Sequence, residues 1–303
     1  MSETKKRELA VLFVLTALLT IFFLYGTWKD DKRSEIAAQV KKYRLAHIGA
    51  KLDQLNIKAK AVSVYDARER EELYDRNATV PLPLASLTKI MTVLVALNIY
   101  GEDGEITISP AAINLEGNYG LLSGEKWKVG DLARFTLVSS ANDGAYALAE
   151  GHLKEFLNKM NEKARAIDLK SALFLDPTGL DIGNKAGVPV QAGSYASARD
   201  VNTLALFALR DYPDIFSSTA LPEITVKSLS GFTHTVKNTD PNTERIPNLL
   251  FSKTGTTDMA GGNLSVIFKN AAGHEIVITV LGSTHEGRFT DVEKIVDTIY
   301  DMN

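Results

Sequence analysis

The chain opens on a long apolar block. Residues 9–28, "LAVLFVLTALLTIFFLYGTW", carry no charge and lie between Lys5, Lys6 and Arg7 on one side and Lys29, Lys32 and Arg33 on the other. As a helix, a run of about 20 residues covers a ~30 Å hydrocarbon core. Tyr25 and Trp28 sit at its end, where aromatic side chains favour a membrane interface. The run exceeds the ~7–15-residue core of a signal peptide, and "YGTWKDD" offers no small-x-small cleavage site. The pattern therefore predicts an uncleaved N-terminal transmembrane helix over 9–28 behind a cytoplasmic tail, 1–8. Basic residues flank both ends, so charge alone does not orient it.

Residues 29–56 are charged, with Ile36, Val40 and Tyr43, then Leu45, Ile48, Leu52 and Leu55, at helical spacing. This predicts an amphipathic helical stalk or linker. Residues 57–303 then read as one domain. "AKAVSVYDAREREELYDRN" predicts a β-hairpin turning around Ala67–Arg70. Near the other end, "NLSVIFKNAAGHEIVITVLGS" predicts strands over Leu264–Lys269 and Glu275–Gly282, followed by a helix over Asp291–Tyr300. Between these lie helical patterns over Ser86–Tyr100, Val129–Ser140, Asp143–Ala166 and Arg199–Arg210. The expected fold class is α/β of the α+β type. An antiparallel sheet is built from both chain ends, with helices packed on it and a mainly helical inserted subdomain.

Composition narrows the chemistry. The 303 residues are 45% hydrophobic and 23% charged with a net charge of -3, which is ordinary globular composition. Without a basic excess, nucleic acid is not the expected partner. The absence of cysteine removes disulfides, zinc–thiolate sites and cysteine nucleophiles. The five histidines show no ligand-like spacing, so no metal or other cofactor is expected.

The candidate chemistry begins in "PLPLASLTKIMTVLVAL", where Ser86 and Lys89 stand one turn apart at the mouth of an apolar helix. Residues i and i+3 share a helix face. A helix N-terminus favours a developing alkoxide and disfavours an ammonium. Burial lowers a lysine pKa further. A neutral amine can then take the serine proton, giving a nucleophile and a base without histidine. Alone, S-x-x-K also reads as a helix cap with a surface lysine. Two further elements change that balance. Ser140-Ala141-Asn142 forms S-x-N between two helical segments, and Lys253-Thr254-Gly255-Thr256 opens a strand-like region. The order S-x-x-K, S-x-N, K-T-G is a known active-site set.

From roughly Lys58 to Tyr300 the sequence resembles the low-molecular-mass penicillin-binding proteins. These are the serine-type D-alanyl-D-alanine carboxypeptidases, peptidase family S11, of the β-lactamase/transpeptidase-like superfamily. "VGDLARFTLVSSANDGAYALAEG", "DPTGLD", "YASARDVNTLALFAL", "KTGTTDMAGGNL" and "EGRFTDVEKI" extend the likeness. The resemblance implies a DD-carboxypeptidase that removes the terminal D-alanine from peptidoglycan stem peptides. It implies Ser86 as the acylated nucleophile, Lys89 as its base and Ser140 as the proton relay. Asn142, Lys253, Thr254, Gly255, Thr256 and Arg288 would bind substrate, and the backbone N–H groups of Ser86 and Thr256 would form the oxyanion hole. Arg199 would be a supporting residue or a surface ion-pair partner. β-Lactams would inhibit. The catalytic domain would face the cell wall, in the periplasm or outside the cell, held by the single-pass N-terminal helix.

Three departures qualify the likeness. The middle motif is S-A-N, not S-D-N, and Phe174–Ala192 holds Asp176 and Asp181 but no E-x-x-x-N. That favours a slowly deacylated penicillin target over an efficient β-lactamase. Thr256 stands where many relatives have histidine, which leaves substrate preference open. The last helical pattern lies close to residue 303, so the β-rich domain and C-terminal anchor often found in the family are not expected. A β-lactamase, a DD-endopeptidase and a non-turnover membrane-anchored penicillin-binding sensor remain the alternatives.

Overall fold

The computed structural model describes residues 2–183 and 187–300. Met1, residues 184–186 (inside the Phe174–Ala192 stretch) and residues 301–303 (the end of the 57–303 domain) lie outside the described residues. The chain divides into two units, 1–50 and 51–303.

Helix α1 (Glu3–Asp53) runs 51 residues and fuses the segments predicted as anchor and stalk. It corrects the membrane reading: among the described residues no helix is long and apolar enough to cross a membrane. The apolar run passes without a break into the charged segment. Three threonine hydroxyls along it bond to the helix's own backbone. Thr16, Thr20 and Thr27 donate to the carbonyls of Phe13, Thr16 and Leu24 at 2.9, 2.8 and 2.9 Å. The predicted transmembrane helix is corrected on this ground, and the membrane as partner and the single-pass localisation are not shown.

The second unit is built on the sheet expected from both chain ends. Strands β1 (Ala61–Asp66), β2 (Glu71–Arg76), β3 (Leu249–Thr257), β4 (Gly261–Lys269) and β5 (Glu275–Ser283) lie in the order β3-β4-β5-β1-β2. Every neighbouring pair is antiparallel, with Val64 and Val266 both opposite Ile278. β4 and β5 are buried along almost their whole lengths. That explains why both read as continuous apolar runs rather than alternating ones. The β1–β2 turn closes on Asp66, whose carboxylate accepts from the Arg68 and Glu69 N–H groups at 2.9 Å each.

Helices fill the middle of the chain. α2 (Thr88–Tyr100) is buried at every position from Thr88 to Leu97, as a helix apolar on all sides must be. α3 (Val129–Ser139) ends at Ser140, which adopts φ 60° and turns the chain into α4 (Asn142–Ala149). The helix predicted over Asp143–Ala166 is broken. A short 3-10 turn, Glu150–His152, containing Gly151, separates α4 from α5 (Leu153–Ala166). α6 (Ala198–Asp211) starts with a full capping box between Ser197 and Asp200 and packs on β1, β4 and β5. α7 (Gly287–Ile299) packs on β4 and β5. Its Asp291 accepts from the Lys58 and Ala59 N–H groups at 3.0 and 2.9 Å. That bond ties the start of the second unit to its last helix. The sequence reading missed the hairpin Glu223–Lys227/Thr233–Lys237, whose strands alternate between exposed and partly buried positions.

The site-bearing strand β3 is held from behind by Phe251, fully buried and 6.4 Å from Phe216, ring centre to ring centre. Phe251→Ala is expected to cost about 3–5 kcal/mol and to lower Tm by roughly 10 °C. Thermal unfolding monitored by circular dichroism measures this, and an unchanged Tm would contradict the assignment of Phe251 to the core.

Candidate active site

Ser86 does not lie in the first turn of α2 itself. It sits in a 3-10 turn, Ala85–Leu87, that runs straight into the helix. Ala85 takes φ 51°, a left-handed backbone that costs a non-glycine residue energy. Two glycines let neighbouring segments clamp that turn. A Cβ on Gly255 would meet Leu84 O at 2.7 Å and Ser86 N at 3.1 Å, and a Cβ on Gly179 would meet Ala85 O at 2.0 Å. Asn263 Nδ2 donates to the carbonyls of Pro83 and Leu84 at 2.9 and 3.0 Å. The K-T-G strand and the D-P-T-G turn therefore reach the backbone of the Ser86 turn because they lack side chains where they cross it.

Lys89 is fully buried one turn further on. Its Nζ donates to Ser86 Oγ at 2.9 Å, to Asn142 Oδ1 at 2.6 Å and to the Thr178 carbonyl at 2.8 Å. Burial lowers its pKa to about 7, against the opposing charges of Asp176 and Asp143. Asn142 links Lys89 to a loop, since its Nδ2 donates to the Glu116 carbonyl at 2.7 Å. A Cβ on Gly117 would meet that same Nδ2 at 2.6 Å. The sequence reading assigned Asn142 to substrate alone, and its lysine bond was not legible there.

Ser140 and Lys253 form a second hydroxyl–amine pair, with Lys253 Nζ donating to Ser140 Oγ at 2.8 Å and to the Thr254 carbonyl at 3.0 Å. Burial, then the charges of Lys89 and Arg288, hold the Lys253 ammonium well below the ordinary lysine range. Arg288 is also buried, and its Nη1 donates to the Gly255 carbonyl at 2.8 Å while its Nε has no partner. Asp240, buried beside this group, has its pKa raised by burial and accepts from Ser252 Oγ at 2.6 Å. The result is a floor of two buried amines and a guanidinium, with one guanidinium donor unsatisfied among the described residues.

Ser86, Ser140, Asn142, Thr254, Gly255, Thr256 and Arg288 line one open cleft of about 520 Å³. Lys89 and Lys253 reach it from below through the two serines. Tyr119, Thr239 and His285 also line the cleft and were not singled out from the sequence. Thr239 pairs hydroxyl to hydroxyl with Thr254 at 2.6 Å. Arg199 is elsewhere. It pairs with Asp75 at 2.8 Å and Glu72 at 3.3 Å, and lines a separate cleft between α6 and the β1–β2 hairpin. Of its two readings, the surface ion pair describes it.

Residues 48–284 match the family model for D-alanyl-D-alanine carboxypeptidase, peptidase family S11, and the chain belongs to that family. It is 28% identical over 258 residues to D-alanyl-D-alanine carboxypeptidase DacF of Bacillus subtilis, covering 82% of this chain and 64% of that one. It is 31% identical over 208 residues to a D-alanyl-D-alanine endopeptidase of Pseudomonas aeruginosa, covering 65% of this chain and 63% of that one. The chain thus spans somewhat under two thirds of the length of these curated relatives. Penicillin-binding protein D2 of Listeria monocytogenes, solved with ampicillin bound, superposes with a TM-score of 0.66 at 27% identity. That superposition covers 81% of this chain and 98% of the Listeria chain.

Gly255→Ala tests the clamp on the nucleophile turn. The added methyl is expected to cost about 1–3 kcal/mol and to displace Ser86 from Lys89. Tm should fall, and labelling of Ser86 by an active-site acylating probe should fall with it. Wild-type labelling in the variant would show that the close crossing does not hold the turn.

Proposed function

We propose that this protein is a serine DD-carboxypeptidase that removes the terminal D-alanine from peptidoglycan stem peptides through an acyl-enzyme on Ser86. The observation that carries the reading is Lys89: a fully buried amine 2.9 Å from a cleft-lining serine, with its pKa lowered to about 7. Such a group is neutral in a large fraction of molecules near neutral pH, which is what a general base requires.

The steps follow from the residues. Ser86 Oγ attacks the carbonyl carbon between two D-alanines while its proton passes to Lys89 Nζ. The carbonyl oxygen becomes an oxyanion facing the backbone N–H groups of Ser86 and Thr256, a donor set in which each member is typically worth roughly 3 kcal/mol. Collapse breaks the C–N bond. Ser140 Oγ gives a proton to the leaving amine and is resupplied through the lysines. D-Alanine departs, the acyl ester stays on Ser86, and water hydrolyses it. The substrate's carboxylate rests against Lys253, Thr254, Thr256 and Arg288. A carboxylate there restores the ammonium of Lys253, because an opposite charge within about 4–6 Å favours the charged form. In a β-lactam the expelled amine stays tethered to the acyl group, so the ester persists. The ampicillin complex of the Listeria relative supports β-lactams as inhibitors. Family membership supports an extracytoplasmic, cell-wall-facing catalytic domain.

The Pseudomonas relative named as an endopeptidase favours a second reading on the same site, hydrolysis of D-alanyl cross-links. Release of D-alanine from a peptide ending in D-Ala-D-Ala, measured beside cleavage of a cross-linked muropeptide dimer, separates the two. The carboxypeptidase reading expects D-alanine release with the dimer left intact. The rate should rise with pH through about 7, as Lys89 loses its proton. Lys89→Ala should lower it by about a thousandfold, and Ser86→Ala should abolish it. Dimer cleavage without D-alanine release would replace this reading with the second, and a pH-independent rate would remove Lys89 as the base.

A further inference from the structure

The turn Asp176-Pro177-Thr178-Gly179 belongs to none of the three motifs, yet it grips α2 twice. Its Thr178 carbonyl accepts from Lys89 Nζ at 2.8 Å, and its Pro177 carbonyl accepts from Thr92 Oγ1 at 2.6 Å. Asp176 folds the turn into that position. Its Oδ1 accepts from the Thr178 N–H at 2.8 Å, from the Gly179 N–H at 3.0 Å and from the Thr178 hydroxyl. Its own N–H is fixed on the Gly193 carbonyl at 2.9 Å. At Gly179 the chain takes φ +80° and passes against the Ala85 carbonyl, so the same turn touches the nucleophile segment and the lysine.

We propose that Asp176 is a positioning residue for Lys89: it folds the turn that aims the Thr178 carbonyl at Nζ, and its charge acts on the buried amine. The inference rests on the proposed role of Lys89 as base. The charged groups that act on Lys89 are Asp176 from this turn, Asp143 from α4 and Lys253 from β3. Burial raises the pKa of Asp143, against the backbone N–H groups that donate to it. Asp176 is the first named of the two charges that oppose the burial of Lys89. An exposed carboxylate would be screened, but this one is half-buried and locked by three donors. The sign follows directly. A nearby anion favours the ammonium, so removing it lowers the Lys89 pKa and shifts the acidic limb of activity to lower pH.

Two readouts separate this proposal from the function it rests on. Nitrogen NMR of isotope-labelled lysine side chains, with Lys89→Met to assign the signal, follows the Lys89 titration in the free protein without any substrate. The pH profile of D-alanine release follows it in turnover. Asp176→Asn keeps an oxygen acceptor for all three donors and removes only the charge. It is expected to lower the Lys89 midpoint by about 1 on the pH scale. Asp176→Ala loses the turn as well, and should lower the plateau about tenfold in addition. Asp176→Glu keeps the charge and should keep the midpoint. Asp181→Asn removes an equal charge that is spent on Thr257 Oγ1 and Met259 N–H, and should leave the midpoint in place. A Lys89 midpoint that is the same in Asp176→Asn and wild type overturns the proposal. Absence of D-alanine release in the wild type would instead count against the proposed function, while the NMR titration still decides the role of Asp176.

Discussion

The site depends on burying one lysine. Lys89 has no exposed surface, yet the proposed mechanism asks its amine to change charge during turnover. A buried ammonium is costly unless its donors are used, and here three acceptors use them: Ser86, Asn142 and the Thr178 carbonyl. Each acceptor comes from a different part of the chain, namely the turn before α2, the start of α4 and the D-P-T-G turn. The lysine is thus the point where these segments are fastened to one another. Its burial follows from the all-round apolar character of α2, whose neighbouring positions have no face turned to water.

The second constraint is charge of one sign. The charges that bear most on Lys253 are those of Lys89 and Arg288, and both act in the same direction as its burial. Asp240 is nearby but is held toward its neutral form by burial. This condition supports the proposed binding of an anion, as does Arg288 Nε, which has no partner among the described residues. The two amines differ in their surroundings. The charges of Asp176 and Asp143 oppose the burial of Lys89, while in the proposed function Lys253 gains its charge with the ligand.

Most of this architecture was legible because it is encoded locally or in continuous apolar runs. The sheet from both ends, the α2 pattern and the three motifs could each be read from a short window. The helix over Asp143–Ala166 was read as unbroken because its apolar spacing continues through Gly151 and hides the 3-10 turn. The weakly buried hairpin at Glu223–Lys227 and Thr233–Lys237 left no strong period. The N-terminal apolar run was read as a membrane span. Composition alone does not register its fusion with the charged segment into one helix. What no window could show is partnership. The bond from Asn142 to Lys89 spans 53 residues and that from Thr178 to Lys89 spans 89, and Arg199 is placed by Asp75 and Glu72 far from the cleft.

The central claim is that Ser86, activated by its buried lysine neighbour, becomes acylated. The most direct measurement is a time course of intact mass after adding benzylpenicillin to the wild-type protein and to Ser86→Ala. The account predicts one lasting adduct on the wild type, located at Ser86, and none on the variant. A folded wild type that takes up no adduct, or an adduct that persists in Ser86→Ala, would contradict it. Rapid loss of the drug with little adduct would mean efficient deacylation, a β-lactamase rather than a carboxypeptidase.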